Sequence, residues 1–269
     1  MHTTTLPPSG QRFSRSRGSL GKHPIAPLTM GQLLLNIAGA LVIAGTYAAT
    51  VLVIGHELGD GTTVSLPLVG GYLLGVVLLL VGNLSRIPLS ALALIPFAAA
   101  FNIVLGQVVG FSGIPLYLDA VATVLVAYLA GPAAGVLTGA ITNLAWGLTI
   151  NPTTIPFAAG AAVIGLLAGY AGRMGLLERI WTAVPTGFVV GVIAGMIGGP
   201  IAAFVYGGGL GVGTGSVVAL LQAAGHSMLA ATTLQAMMSD PLDKAITFLL
   251  VWAIAQAIPA RVKEQLNTR

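Results

Sequence analysis

The sequence predicts an all-α, polytopic integral membrane protein of about eight transmembrane helices, and three observations predict it. The 269 residues are 56% hydrophobic and only 7% charged, against about 25% charged in an ordinary soluble domain. Such a chain has too few charged groups to cover a water-facing globular surface. Its apolar runs recur at lengths near the roughly 20 residues that a helix needs to cross the hydrocarbon core. Finally, ten of the eleven Lys and Arg residues fall on one side of the topology those runs define, the exception being Lys244. Basic residues in short loops set orientation and acidic ones contribute little, so the asymmetry places both termini in the cytoplasm, with the protein in the plasma membrane.

The elements follow in order. A basic tail, 1–30, carries Arg12, Arg15, Arg17 and Lys22 and suits anionic lipid headgroups on the inner leaflet rather than nucleic acid. The first apolar run, 32–55, is too long for a signal-peptide core of about 7–15 residues and leads to no small-residue cleavage site. It therefore reads as a retained helix. Further runs cover 66–83, 88–109, 117–131, 133–150, 156–172, 182–206 and 242–259. The fourth and fifth are short and meet at Gly131-Pro132, a tight turn that cannot continue a helix. Inward loops hold Arg86, Arg173 and Arg179, and the C-terminal tail adds Arg261, Lys263 and Arg269.

One segment tests the count. Residues 214–238 are apolar enough for a ninth span, but they include Gln222, His226 and Gln235, and a ninth crossing would put the C-terminal basic residues outside. We therefore expect an outward loop over 207–240, opening at Gly207-Gly208-Gly209 and folding into a half-buried or re-entrant helix. Backbone at that depth requires cover by protein or a water-filled cavity, as in a lid. Small residues recur every fourth position at Ala40, Ala44, Ala48; Gly135, Gly139; Ala161, Gly165, Gly169; and Gly191, Gly195, Gly199. Each set lies on one helix face and admits another backbone.

Motifs for covalent chemistry are missing from the sequence. There is no G-x-x-x-x-G-K-[ST] to cradle ATP phosphates, no H-E-x-x-H and no G-x-S-x-G, and no Cys to supply a thiolate. Gly209 to Gly215 is glycine-rich but fits no G-x-G-x-x-G spacing. We expect no enzyme activity, no cofactor and no metal.

What remains is polar chemistry gathered at one membrane face. Glu57, Asp60, Asp119, Asp240 and Asp243 all fall in or beside outward loops. Asp119 follows Tyr117 near the start of the fourth span. It either fixes that helix end, pairing with Lys244, or lines a ligand cavity; Tyr117 stands at the rim. Asn143 and Trp146, three apart, share a face near the outward end of the fifth span. The amide reads as helix–helix glue or as a ligand contact, and the indole as part of an interfacial aromatic belt or as a stacking surface. Asn151, opening Asn151-Pro152-Thr153-Thr154, forms a turn at the same level. Gln222 and His226 are i,i+4 on the expected lid helix, as structural residues or as ligand contacts. Asp240-Pro241-Leu242-Asp243-Lys244 opens the last span, its aspartates capping that helix at the cavity rim.

Over about 88–262 the chain resembles the substrate-binding S component of an energy-coupling factor (ECF) transporter, of the riboflavin-type group. The resemblance rests on Gly113-Ile114-Pro115-Leu116-Tyr117-Leu118-Asp119, Leu129-Ala130-Gly131-Pro132-Ala133-Ala134-Gly135, Gly139 to Asn143, Asn151-Pro152, Ser239-Asp240-Pro241-Leu242-Asp243-Lys244 and Ile258-Pro259-Ala260-Arg261. It implies a six-helix core over 88–262 that binds a vitamin or similar small molecule from outside under loops 109–117, 149–156 and 207–240. It also implies a transmembrane T component and two cytoplasmic ATPases as partners, with transport by tipping of the whole subunit. Two helices over 31–87 are additional to that core, and 263–269 is a cytoplasmic tail. The family's small-residue coupling face on the first core helix is approximated by Ala98, Asn102 and Gly106. The rival expectation, from another class, is a membrane sensory or scaffold module that binds without transport.

Overall fold

The computed structural model describes residues 28–49, 61–87, 89–208, 211–259 and 261. The tail at 1–27, the end of the first predicted span with Glu57 and Asp60, Gly209-Leu210 and the C-terminal tail beyond 261 lie outside them. Among the described residues every regular element is helical: α1 Met30–Ala49, α2 Gly61–Leu84, α3 Leu89–Phe111, α4 Val121–Ala130, α5 Pro132–Thr149, α6 Ala158–Arg173, α7 Ile180–Ile201, α8 Val212–Ala223 and α9 Met228–Ala257. A 3-10 turn, Pro152–Phe157, leads into α6, and a π turn, Ala202–Tyr206, closes α7. Five stretches are long and apolar enough to cross a membrane: Met30–Ala49, Pro67–Leu84, Ala91–Phe111, Pro152–Arg173 and Ile180–Phe204.

The local reasons are visible in sequence. Thr29 and Gln32 form a reciprocal capping box at the start of α1, each side chain accepting from the other's main-chain N–H at 3.1 and 3.2 Å. Gly131 takes φ +90° between α4 and α5, a conformation that costs a residue with a Cβ, and Pro132 follows at the first helical position.

Packing divides the chain. Leu68, Tyr72, Val76 and Leu79 of α2 are buried in one cluster with Val136 and Ala140 of α5, Ala158 and Ala162 of α6, and Ile197 and Ile201 of α7. Helix α1 buries only Gly39 and Ile43, where it packs on Gly75 and Leu79 of α2. Its polar end is tied to α2 by Asn83 Nδ2 donating to Asn36 Oδ1 at 2.6 Å and Gln32 Nε2 donating to Ser85 Oγ at 2.9 Å.

Two glycine seams hold the rest. Gly135 and Gly165 face each other's backbone across α5 and α6, flanked by Gly139 on Ala161 and Gly169 on Pro132. Along α7, Gly187 meets Lys244, Gly191 meets Asp240 and Pro241, Gly195 meets Ala236 and Met237, and Gly199 meets Thr233. A Cβ at Gly191 would lie 2.5 Å from the Pro241 Cα. Backbones this close gain dispersion contacts that lipid cannot replace.

Several expectations need correcting. The last helix does not begin at Asp240: α9 is continuous from Met228, is capped by Ser227, and carries Pro241 inside it. Aspartates 240 and 243 are therefore not helix caps. Proline removes one helical hydrogen bond, but a membrane helix tolerates it where a neighbouring helix covers the freed backbone, and α7 does so through Gly191. The expected lid accordingly divides into the short α8 and the first turns of α9. The fourth predicted span, 117–131, contains only the ten-residue α4, about 15 Å long, entered through an irregular stretch at 112–120. Ala98, Asn102 and Gly106 do not form an outer coupling face, for all three point inward. The Asn102 amide donates to Thr123 Oγ1 at 2.9 Å and Thr142 Oγ1 at 3.3 Å, and its Oδ1 accepts from the Ala122 N–H at 2.9 Å. A buried amide needs such partners, so it turns to the hydroxyls of α4 and α5. Ala40 and Ala44, by contrast, are exposed, because α1 meets α2 through Gly39 and Ile43.

Candidate functional site

The irregular stretch before α4 is shaped by one carboxylate. Asp243 Oδ1, on α9, accepts from the main-chain N–H groups of Tyr117 at 2.9 Å and Leu118 at 2.7 Å. Leu118 has φ +51°, the one described non-glycine residue in the left-handed region. Such a conformation persists only where surroundings enforce it, and the paired N–H bonds to Asp243 do that here. The other Asp243 oxygen accepts a short hydrogen bond from Lys244 Nζ. The same ammonium reaches Asp119 Oδ1 at 3.4 Å. Asp243 is buried and Lys244 nearly so, which is tolerable because each charge is paired and hydrogen-bonded.

These groups back a cavity of about 450 Å³, within the range of small-molecule sites. Five of the sequence-selected residues line it: Tyr117, Asp119, Asn143, Trp146 and Asn151. Wall segments come from the connection after α3 (Phe111, Tyr117), the one after α5 (Ile150, Asn151, Thr154) and the region after α7 (Gly211, Val212, Gln235). No described residue of α1 or α2 contributes.

Each residue's state differs. Asn143 is 6% exposed, and its side-chain amide has no hydrogen-bond partner among the described residues; only its main-chain oxygen is used, accepting from Thr154 Oγ1 at 3.3 Å. The Trp146 ring lies over Gly106, where a Cβ would come within 2.9 Å of it, so the wall there needs a glycine. Asn151 is a turn-former, its Oδ1 accepting from Thr153 N–H and Oγ1 at 3.2 and 2.8 Å. Tyr117 O–H donates to Gln235 Oε1 at 3.4 Å, and Gln235 Nε2 donates to Ser239 Oγ at 2.8 Å. Burial, ahead of the Asp240 carboxylate nearby, pushes the Tyr117 phenol well above its ordinary range, so it stays a neutral O–H donor.

Gln222 and His226 are not brought to the cavity. Helix α8 ends at Ala223, a turn follows, and both side chains are exposed. Their i,i+4 spacing has no meaning once the helix stops between them. Conversely, Gln107, Phe157, Gln235, Asp240 and Lys244 line the wall and were not selected as contacts from sequence. The signal for Gln235, Asp240 and Lys244 was present: polar residues at i, i+5 and i+9 of one helix. A helix break assumed at Pro241 concealed it.

An all-helical chain with several helices long enough to span a bilayer, enclosing a polar-lined cavity, is the class that the fold and site define. The chain matches no protein-family model, no curated protein and no solved structure.

Proposed function

We propose that this protein is a membrane-embedded substrate-binding subunit that captures a small, vitamin-like solute for ATP-driven import, working with a separate transmembrane T component and two cytoplasmic ATPases. The observation that carries the reading is the cavity with the unpartnered Asn143 amide on its wall. That amide opens onto the cavity with donor and acceptor atoms that no described residue occupies, so a ligand there can take both. In this reading α3 to α7 and α9 are the six-helix core, α8 and the first turns of α9 cover the site, and α1–α2 are additional, for eight crossings with both termini cytoplasmic.

Depth supports the outward placement. Asp240 precedes the end of α9 at Ala257 by 17 residues (257 − 240), or roughly 26 Å of helix, against a hydrocarbon core of about 30 Å. With the C-terminus inside, the carboxylate lies near the outer edge of the core.

Native mass spectrometry of the full-length protein, released from detergent, tests the reading. A small molecule retained at one per chain, and lost on Asn143→Ala, is the expected result. An apo mass that persists after incubation with a panel of vitamins and their precursors would overturn it and favour a sensory or scaffold module.

A further inference from the structure

The cavity's charge is unbalanced. Asp119, Asp240 and the underlying Asp243 present three carboxylates to a single ammonium, Lys244, which is the only cation among the described residues lining the wall. That ammonium is already committed to Asp243 and Asp119. Asp240 lies one turn above it on α9, faces the cavity, and accepts no hydrogen bond from any described residue. Gly191 holds the α9 backbone against α7 at this very residue, so the carboxylate cannot withdraw by a shift of its helix.

We propose that the cavity takes a cationic ligand, a small ring-bearing molecule with a protonated or quaternary nitrogen, and that Asp240 is the carboxylate that pairs with it. This deepens the capture reading and rests on it. Asp240 is only half-buried and keeps its carboxylate open to the cavity, so a cation there supplies the partner that the described residues do not. An anionic ligand would have to take Lys244 from two carboxylates while facing a third. A neutral one would leave Asp240 uncompensated. The walls suit a flat cation, since Phe111, Tyr117, Trp146 and Phe157 all border the cavity, and an aromatic face attracts positive charge. The unpartnered Asn143 amide, 6% exposed, supplies an independent polar contact that would orient the ring.

A matched series of one-ring probes separates charge from shape: 1-methylnicotinamide (a pyridinium cation), nicotinamide (neutral) and nicotinate (anion), titrated calorimetrically into the full-length protein. The cation should bind about tenfold or more tighter than the neutral probe, with the anion weakest. Asp240→Asn should cut cation affinity roughly 30-fold and leave nicotinamide almost unchanged, while Asp240→Glu keeps the preference. The charge order is measured on the unmutated protein, so it stands even where a variant fails to fold. Equal or tighter binding of the neutral or anionic probe would overturn the proposal, as would binding of none. A neutral or anionic molecule retained in native mass spectrometry would sink the cation assignment and leave capture standing. An apo mass together with three silent probes would sink both.

Discussion

In α1 the small residues Ala40 and Ala44 are exposed, whereas in α7 Gly187, Gly191, Gly195 and Gly199 are each covered by the backbone of α9. The two helices carry the same four-residue spacing on an apolar background. The difference is whether another helix arrives, and what that helix carries. The α7 seam meets α9 at Asp240 and Lys244, so the contact that packs the core also sets the depth and reach of the cavity's charged groups. The described residues of the α1–α2 hairpin add apolar cover to one side of the bundle and no wall to the cavity. The α7 glycines are thus structural, whereas Ala40 and Ala44 lie off the hairpin contact, which Gly39 and Gly75 make.

The contrast can be broken most forcefully at the charge cluster. Asp243→Ala should cost about 3–5 kcal/mol, because it strips Lys244 of its closest partner and frees the Tyr117 and Leu118 N–H groups; thermal melting in detergent reads it. A variant that melts with the parent would mean the irregular stretch before α4 does not depend on that carboxylate. Next comes Gly191→Leu, where the side chain must displace the α9 backbone, at about 1–3 kcal/mol or more. Cavity binding should fall with stability, since Asp240 moves with the seam.

Smaller effects sharpen the comparison. Thr247 Oγ1 is the one buried side-chain oxygen or nitrogen among the described residues without a partner. Thr247→Val, similar in shape, should stabilise by about 1 kcal/mol by removing an unpaired buried hydroxyl, seen as a raised melting temperature. Ala40→Leu in the hairpin should stay within about 0.5 kcal/mol of the parent, as exposed substitutions usually do. A large loss there would show that α1 has a partner in the membrane, and crosslinking from position 40 would identify it.

Much of the fold is legible in the sequence because the bilayer imposes simple demands. Apolar runs of the right length marked α1, α2, α3, α5, α6 and α7 to within a few residues, and Gly131-Pro132 marked the break between α4 and α5. Spacing placed Asn143 and Trp146 on one face, and both line the cavity with Tyr117, Asp119 and Asn151. Two failures lie at helix boundaries. Pro241, in a turn expected to open the last span, instead lies inside α9, where α7 packs on it through Gly191. That misplacement made Asp240 and Asp243 caps, and separately the end of α8 at Ala223 parts Gln222 from His226. Asn102 looked like part of an outer face because nothing local tells a helix which side will meet hydroxyls.

By itself, then, the sequence determined an all-helical chain of apolar segments, the poverty of its charge and the identity of the few polar residues that lipid would not tolerate unpaired. Tertiary structure decided which of those residues meet, including the Asp119–Lys244 pairing that the sequence left as one of two readings. Asp243 reaches the N–H groups of Tyr117 and Leu118 across 126 and 125 positions, and Lys244 reaches Asp119 across 125. Pairings that distant carry no periodic trace in the chain, because they are set by where helices cross, and the crossings are set by glycines whose partners lie on other helices.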